Sequence, residues 1–396
     1  MSSFLGAILH PISREKFVRS FPNEPYVDHG DPSRLAPLLD LPELRSVSAL
    51  AAAFHAPVTA WFDDDTKFGE PNATPLRAPE SLPRYEAGAL LQFNDIQQWV
   101  PALCPLLRSL EDDLDLPHGA ARSQLFASKS GSGAKAHWDN DPVLTVQLRG
   151  TKRWRFAPQS YVEEPLHNFV CGGSRAQFAG YYDGPLPERM PDDARDVLLQ
   201  PGSVLFLPRS YMHETRSQEH SLSIAFDFNI PTWLDVVSKH IQRELMKRVP
   251  WRRFALGLVR EDLSRPAHEL SSMIGDLEAI VADLAREPMR AIQGLEEPLV
   301  PGAAGRDFRR TSARAELHRE QVDGLDVWRI DVSRPQAAPV QLEISPDFVP
   351  FVRWLLGARG AVTARQVFQH AASLEPVDLS SVLSALVEVG ALEVVT

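Results

Sequence analysis

The stretch from about residue 121 to 230 constrains the fold of this chain more than any other. Short runs with alternating apolar residues recur there between Gly, Pro and Asn turns: Gln124 to Ser128, Val143 to Leu148, Lys152 to Phe156, Val204 to Leu207 and Leu222 to Phe228. Runs this short, punctuated this often, predict many strands closing into an all-β sandwich or barrel. The rest of the 396 residues reads differently, so the chain has room for roughly two or three domains. Residues 1–120 are proline-rich and read as a helical and irregular part. Helices are expected over Pro42 to Phe54 and over Asp95 to Leu114, the latter interrupted by Pro101 and Pro105. Residues 121–231 form the β core. Residues 232–300 are helical, with Leu270, Ile274, Leu277, Ile280, Val281 and Leu284 on one apolar stripe suited to packing on the barrel or on a second copy of the chain. Pro301 to Arg310 reads as a linker within the last part, 301–396. That part ends in two or three short helices and a strand, Leu392 to Val395.

Composition narrows the function. The net charge of -11 disfavours nonspecific contact with phosphate backbones and favours a basic partner. The two cysteines, Cys104 and Cys171, are far apart and form no CxxC, which removes a zinc ribbon and a disulfide framework and fits a reducing cytoplasm. No run of about 18 uncharged apolar residues appears, so no membrane span is expected. The N-terminus lacks a basic region ahead of its short apolar run and is not read as a signal peptide.

Within the β core, His137-Trp138-Asp139 places two ligand-type side chains on one face of a strand, because residues two apart share a face. A third ligand is expected from His213, just past the buried-looking strand that follows the Pro201-Gly202 turn. Two histidines and one carboxylate leave coordination positions open, an arrangement that suits non-haem Fe(II). Alternation puts Lys152 on the same face as Trp154 and Phe156. A lysine on an apolar face calls for an anionic partner, unless it reaches out of a hairpin turn to solvent.

The His137-Trp-Asp139 segment, the run through Gly150-Thr-Lys152-Arg-Trp-Arg-Phe156 and the late Leu207-Pro-Arg-Ser-Tyr-Met-His213 together resemble the Jumonji C oxygenases, and more narrowly the cupin-like ribosomal oxygenase branch. The direct likeness covers about Ser128 to Phe228. The resemblance implies a mixed β and α fold: a double-stranded β-helix (jelly-roll, cupin) core, a helical region serving dimerisation, and a small C-terminal winged-helix-like domain. It implies Fe(II) on His137, Asp139 and His213, with 2-oxoglutarate as co-substrate and its far carboxylate on Lys152. Ser128, Ser130 and Ser223 are further candidates for the co-substrate, against the plainer reading of hydroxyls bonded to nearby backbone; Ala134 and Ala225 offer no side-chain donor. His213 is preferred to His220, and His167 is read as a surface or substrate-side residue. The implied reaction is hydroxylation of an arginine or histidine side chain in a ribosomal protein. The alternatives are a peptide natural-product precursor or small molecule, and a non-catalytic winged-helix binding protein. Against the last, the expected recognition helix, Leu379 to Val389, has no Lys or Arg. Residues 159–200 carry Glu163, Glu164, Asp183, Glu188, Asp192, Asp193 and Asp196, an insertion able to guide a basic substrate if it borders the site.

Overall fold

The computed structural model describes residues 3–11, 14–54, 56–61, 74–117, 119–259, 262–288, 307–322, 325–333, 339–358, 361–362, 366–367, 370–371 and 376–395. The chain divides into two compact units, Met1–Ile230 and Pro231–Thr396.

The first unit contains β1 (Tyr26–His29), β2 (Val58–Trp61), β3 (Thr74–Leu76), β4 (Leu90–Phe93), β5 (Ala121–Ser128), β6 (His137–Trp138) and β7 (Val143–Arg149), followed by β8 (Lys152–Ala157), β9 (Phe169–Val170), β10 (Arg195–Leu199), β11 (Ser203–Leu207), β12 (Met212–Ser217) and β13 (Ser221–Phe228). They form two antiparallel sheets. One has eight strands in the order β1-β11-β7-β13-β5-β4-β2-β3, and the other has five in the order β10-β8-β12-β6-β9. All five strands expected from the sequence are present. β7, β11 and β13 are buried on both faces, which is why they read as near-continuous apolar runs. One face of the large sheet packs on the N-terminal segment: Phe4 meets Phe226 edge-on, Phe17 meets Phe206 and Phe21 meets Phe228. The opposite face carries the polar positions of β5, β7 and β13 and lines a cavity.

The first 120 residues depart from the expected helical and irregular part. They supply β1–β4, with β4 pairing β5 and β1 pairing β11, so this segment widens the sheet as well as covering it. The helix expected over Pro42 to Phe54 is split. Pro42–Arg45 is a 3-10 turn and Val47–Ala53 an α-helix, because Ser46 is extended and its hydroxyl accepts from Ala49 N to cap a new start. Of Asp95 to Leu114, only Cys104–Leu114 is α-helical, after two 3-10 turns. The turn between β7 and β8 depends on Gly150. Its φ is +62°, and a Cβ there would lie 1.7 Å from the carbonyl oxygen of His220.

The second unit starts with the helix Trp233–Met246, opened by a capping box between Thr232 and Asp235, and continues with the helix Ser264–Arg286. Of the apolar stripe on the second helix only Ile280 is fully buried, and Leu270, Ile274 and Val281 are exposed. Next come β14 (Asp307–Arg310), β15 (Arg314–Val322), β16 (Leu325–Ser333), β17 (Val340–Ile344), β18 (Ala361–Val362) and β19 (Leu392–Val395), with helices at Val349–Gly357 and Pro376–Glu388. The expected linker Pro301 to Arg310 lies partly outside the described residues. Its last four form β14, because pairing with β18 and β19 satisfies their backbone. The hairpin ladder β15-β16-β17 has no counterpart in the sequence reading.

Candidate metal centre and its cavity

β12 lies between β8 and β6, and His213 pairs directly with His137 across the ladder. Asp139 follows β6 at once, on the face of His137. Ligand atoms of His137, Asp139 and His213 all lie within 4.8 Å of one another, the only such group of three or more His, Cys, Asp or Glu among the described residues. The two rings are 4.0 Å apart between centroids, and His213 Nε2 is 3.5 Å from Asp139 Oδ2. That separation is long for a hydrogen bond. Burial, and then the neighbouring His137, lowers the His213 pKa from 6.5 to about 4, so the ring is neutral and the pair is not an ion pair.

Each imidazole is oriented by backbone. His137 Nδ1 is 2.6 Å from the carbonyl oxygen of Lys135, and His213 Nδ1 is 2.9 Å from that of Tyr211. Nδ1–H therefore donates outward, and each Nε2 keeps its lone pair for a cation. Trp154 stacks on His213, with ring centroids 5.5 Å apart and planes 19° from parallel. On the far side of β6, Trp138 is fully buried against Phe169 and Phe178 and anchors a cluster with Val162, Met190 and Met212. Much of the insertion after β8 is thus a small core. Several of its acids are also committed: Glu164 to Arg209, Asp192 to Arg189 and Asp196 to Arg153. Among the described residues, the acids that do face the cavity, besides Asp139, are Asp141 and Asp227.

The cavity lies beside the three groups and measures roughly 320 Å³. One wall bears Lys152, only 3% exposed. No hydrogen bond or ion pair is formed by its ammonium among the described residues; it lies over the Phe126 ring, 5.9 Å from Nζ to centroid. Burial alone pulls its pKa from 10.5 down to about 8. Nearby, the Ser223 hydroxyl and the Trp154 indole N–H are buried without a hydrogen-bond partner, and both residues line the cavity. An ammonium and two unpaired polar groups around one space match the needs of a carboxylate. At the other end Asp227 accepts from Gln124, which itself accepts from Gln92 at 2.7 Å. Removal from water, then Asp139 and Asp141, pushes the Asp227 pKa well above the usual carboxylate range. Asp141 is raised to about 6 by burial and then by Asp139.

The other sequence candidates are placed elsewhere. Ser128 is buried but does not line the cavity, and its hydroxyl is paired with that of Ser217 at 2.5 Å. Ser130 donates to the carbonyl oxygen of Gln218. The His220 ring bonds the Tyr85 hydroxyl at 2.9 Å, and His167 stacks on Tyr181. Ala134 and Ala225 line the cavity without a side-chain donor. The sequence pattern puts Trp154 on the inward face but carries no sign that its N–H is unpaired, and Asp227 looks like an ordinary strand-end acid.

Residues 110–236 match the family model described as the JmjC domain. A curated relative, "Uncharacterized protein YxbC" of Bacillus subtilis, is 27% identical over 294 residues, covering 72% of this chain and 87% of that protein. "Ribosomal oxygenase 1" of Rattus norvegicus is 26% identical over 186 residues, 45% of this chain and 28% of that protein. The chain thus spans most of the first relative and under a third of the second. A solved structure of YcfD, a ribosomal oxygenase from Escherichia coli, in complex with cobalt and 2-oxoglutarate, superposes with a TM-score of 0.47 at 17% identity, covering 98% of this chain and 99% of that one.

Proposed function

We propose that this chain, whose residues 110–236 match the JmjC domain model, is an Fe(II)- and 2-oxoglutarate-dependent protein hydroxylase with its metal on His137, Asp139 and His213. The observation that carries the reading is the pairing of that three-residue group with a buried, unpartnered Lys152 in the same cavity. Two imidazoles and a carboxylate suit a divalent metal that must keep positions open. When bound, iron and 2-oxoglutarate supply an oxidant derived from O2 that hydroxylates a C–H bond, with succinate and carbon dioxide as co-products. The chain's own task is placement. The carbonyls of Lys135 and Tyr211 hold both rings with Nε2 free. Lys152 and Ser223 hold the far carboxylate of the co-substrate, and the walls of the cavity keep water from the reacting centre.

The substrate is a basic side chain of a ribosomal protein, arginine or histidine. Asp141 and Asp227 at the cavity end support a cationic group there, and the overall charge of -11 supports a basic partner. The apolar residues exposed on the two long helices of the second unit, among them Trp233, Leu234, Leu270, Ile274 and Val281, support a homodimer. Residues 301–396 act as a winged-helix-like domain for packing or partner binding, a reading supported by the helix Pro376–Glu388, which has no Lys or Arg to meet phosphate. No helix among the described residues is long and apolar enough to cross a membrane. The test is incubation of the full chain with purified ribosomal proteins, Fe(II) and 2-oxoglutarate, followed by mass spectrometry. The expected result is a gain of one oxygen atom on an arginine or histidine that requires 2-oxoglutarate. Succinate formation without any such gain would move the substrate to another class of molecule.

A further inference from the structure

The cavity is lined by three tryptophans, Trp61, Trp138 and Trp154. The first two have their indole N–H committed within the protein: Trp61 donates to Gln92 Oε1 at 3.1 Å, and Trp138 to the carbonyl oxygen of His167 at 3.1 Å. Trp154 donates to nothing among the described residues. Its ring is not free to turn away, because one face stacks on His213 and the side chain packs with Phe156, Leu199, Leu205 and Leu207. A buried N–H left without an acceptor costs about 1–3 kcal/mol, and native proteins rarely carry one without a reason.

We infer that Trp154 is a co-substrate-binding residue whose indole N–H donates to a carboxylate oxygen of the dicarboxylate held by Lys152 and Ser223. The inference rests on the cavity being the 2-oxoglutarate site. An indole N–H donates and never accepts, and an ammonium does the same. Whatever satisfies both is therefore rich in acceptors, which excludes an amine or guanidinium at this end. A carboxylate offers about four lone-pair positions, more than one ammonium and one hydroxyl fill. Trp154 lies two residues beyond Lys152 on the same face of β8 and stacks on His213 of the metal centre. It is a binding group, and its stacking on His213 is a separate, structural role.

Trp154→Phe separates the two roles, since phenylalanine keeps a ring for stacking and removes the N–H. The full-length protein loaded with Fe(II) is titrated with 2-oxoglutarate by calorimetry in the absence of oxygen. The dissociation constant is expected to rise about tenfold or more, with Fe(II) affinity unchanged. A constant within about twofold of wild type overturns the inference. So does a loss matched by an equal loss of Fe(II) affinity, which would reduce Trp154 to a prop for His213. A second measurement avoids the variant. Of the eight indole N–H signals of 15N-labelled wild type, loaded with Zn(II), one is expected to shift downfield and exchange more slowly when 2-oxoglutarate is added. If none moves, the inference fails. Absence of any 2-oxoglutarate binding by the wild type is a different result, and would remove the cavity reading itself.

Discussion

Lys152 sets a conflict between stability and binding that can be measured. Its pKa falls from 10.5 to about 8 in the folded protein, caused by burial alone. At about 1.36 kcal/mol for each pKa unit, the ligand-free fold carries a penalty of about 3 kcal/mol for holding an unpaired ammonium. The sign follows from proton counting. Between about pH 8 and 10.5 the unfolded chain binds the proton and the folded one does not, so stability rises with pH in that window. Below pH 8 both forms are protonated and the full penalty applies. Lys152→Met removes the charge at similar length. It is expected to stabilise the ligand-free protein at pH 7 by up to about 3 kcal/mol, equivalent to about 6 °C or more in melting temperature for a unit of this size. The same substitution is expected to weaken 2-oxoglutarate binding by about a hundredfold, as a buried charge-assisted bond is lost. In the wild type, affinity should fall about tenfold between pH 7 and pH 9, as the protonated fraction drops through a pKa of about 8. Thermal melts across that range, paired with anaerobic calorimetry, read all three effects. A variant that melts below wild type and binds 2-oxoglutarate equally well would refute the reasoning, because it would mean that the ammonium is already compensated within the fold.

Three further outcomes are expected. His213→Ala should weaken Fe(II) binding by about a hundredfold or more while the fold stays intact, read by metal titration and circular dichroism. Asp227→Asn should slow oxygen transfer to a basic peptide severalfold and leave 2-oxoglutarate affinity unchanged, because the residue lies at the end of the cavity away from Lys152; peptide mass spectrometry alongside calorimetry checks this. Trp138→Ala should cost about 3–5 kcal/mol in denaturant unfolding, since its fully buried ring is the centre of the cluster beneath the insertion.

The parts of the site that follow from local alternation were legible in the sequence. His137 and Asp139 share a face because they are two apart, and Lys152, Trp154 and Phe156 do the same on β8. The β core was legible because strands buried on two faces give dense apolar runs, as in Ser203–Leu207. What depends on partners distant along the chain was not. β6 and β9 span two residues each and exist because they pair with β12 and with one another. β1–β4 lie among prolines and are strands because the edges of a larger sheet accept them. Ser128 lies on the expected strand, yet its hydroxyl is taken by Ser217, a residue 89 positions away. The alternation in Arg314–Val322 was diluted by its charged residues, so the β15-β16-β17 ladder stayed hidden. The unpaired N–H of Trp154 is a property of the space around it, which no spacing encodes.

The direct rung between His137 and His213 separates two demands that enzymes often find coupled. The histidines are held by neighbouring strands, and the long excursion from β8 to β10 bears on that ladder through β9, whose Val170 and Phe169 pair with His137 and Trp138. The rest of the excursion can lengthen, shrink or change its surface while the coordination geometry stays put, provided β9 keeps its pairing and Trp138 its seat. Choice of substrate and command of the metal can then be altered independently, and a graft from a relative of the residues between Ala157 and Arg195, with Phe169 and Val170 kept, should redirect the first while sparing the second.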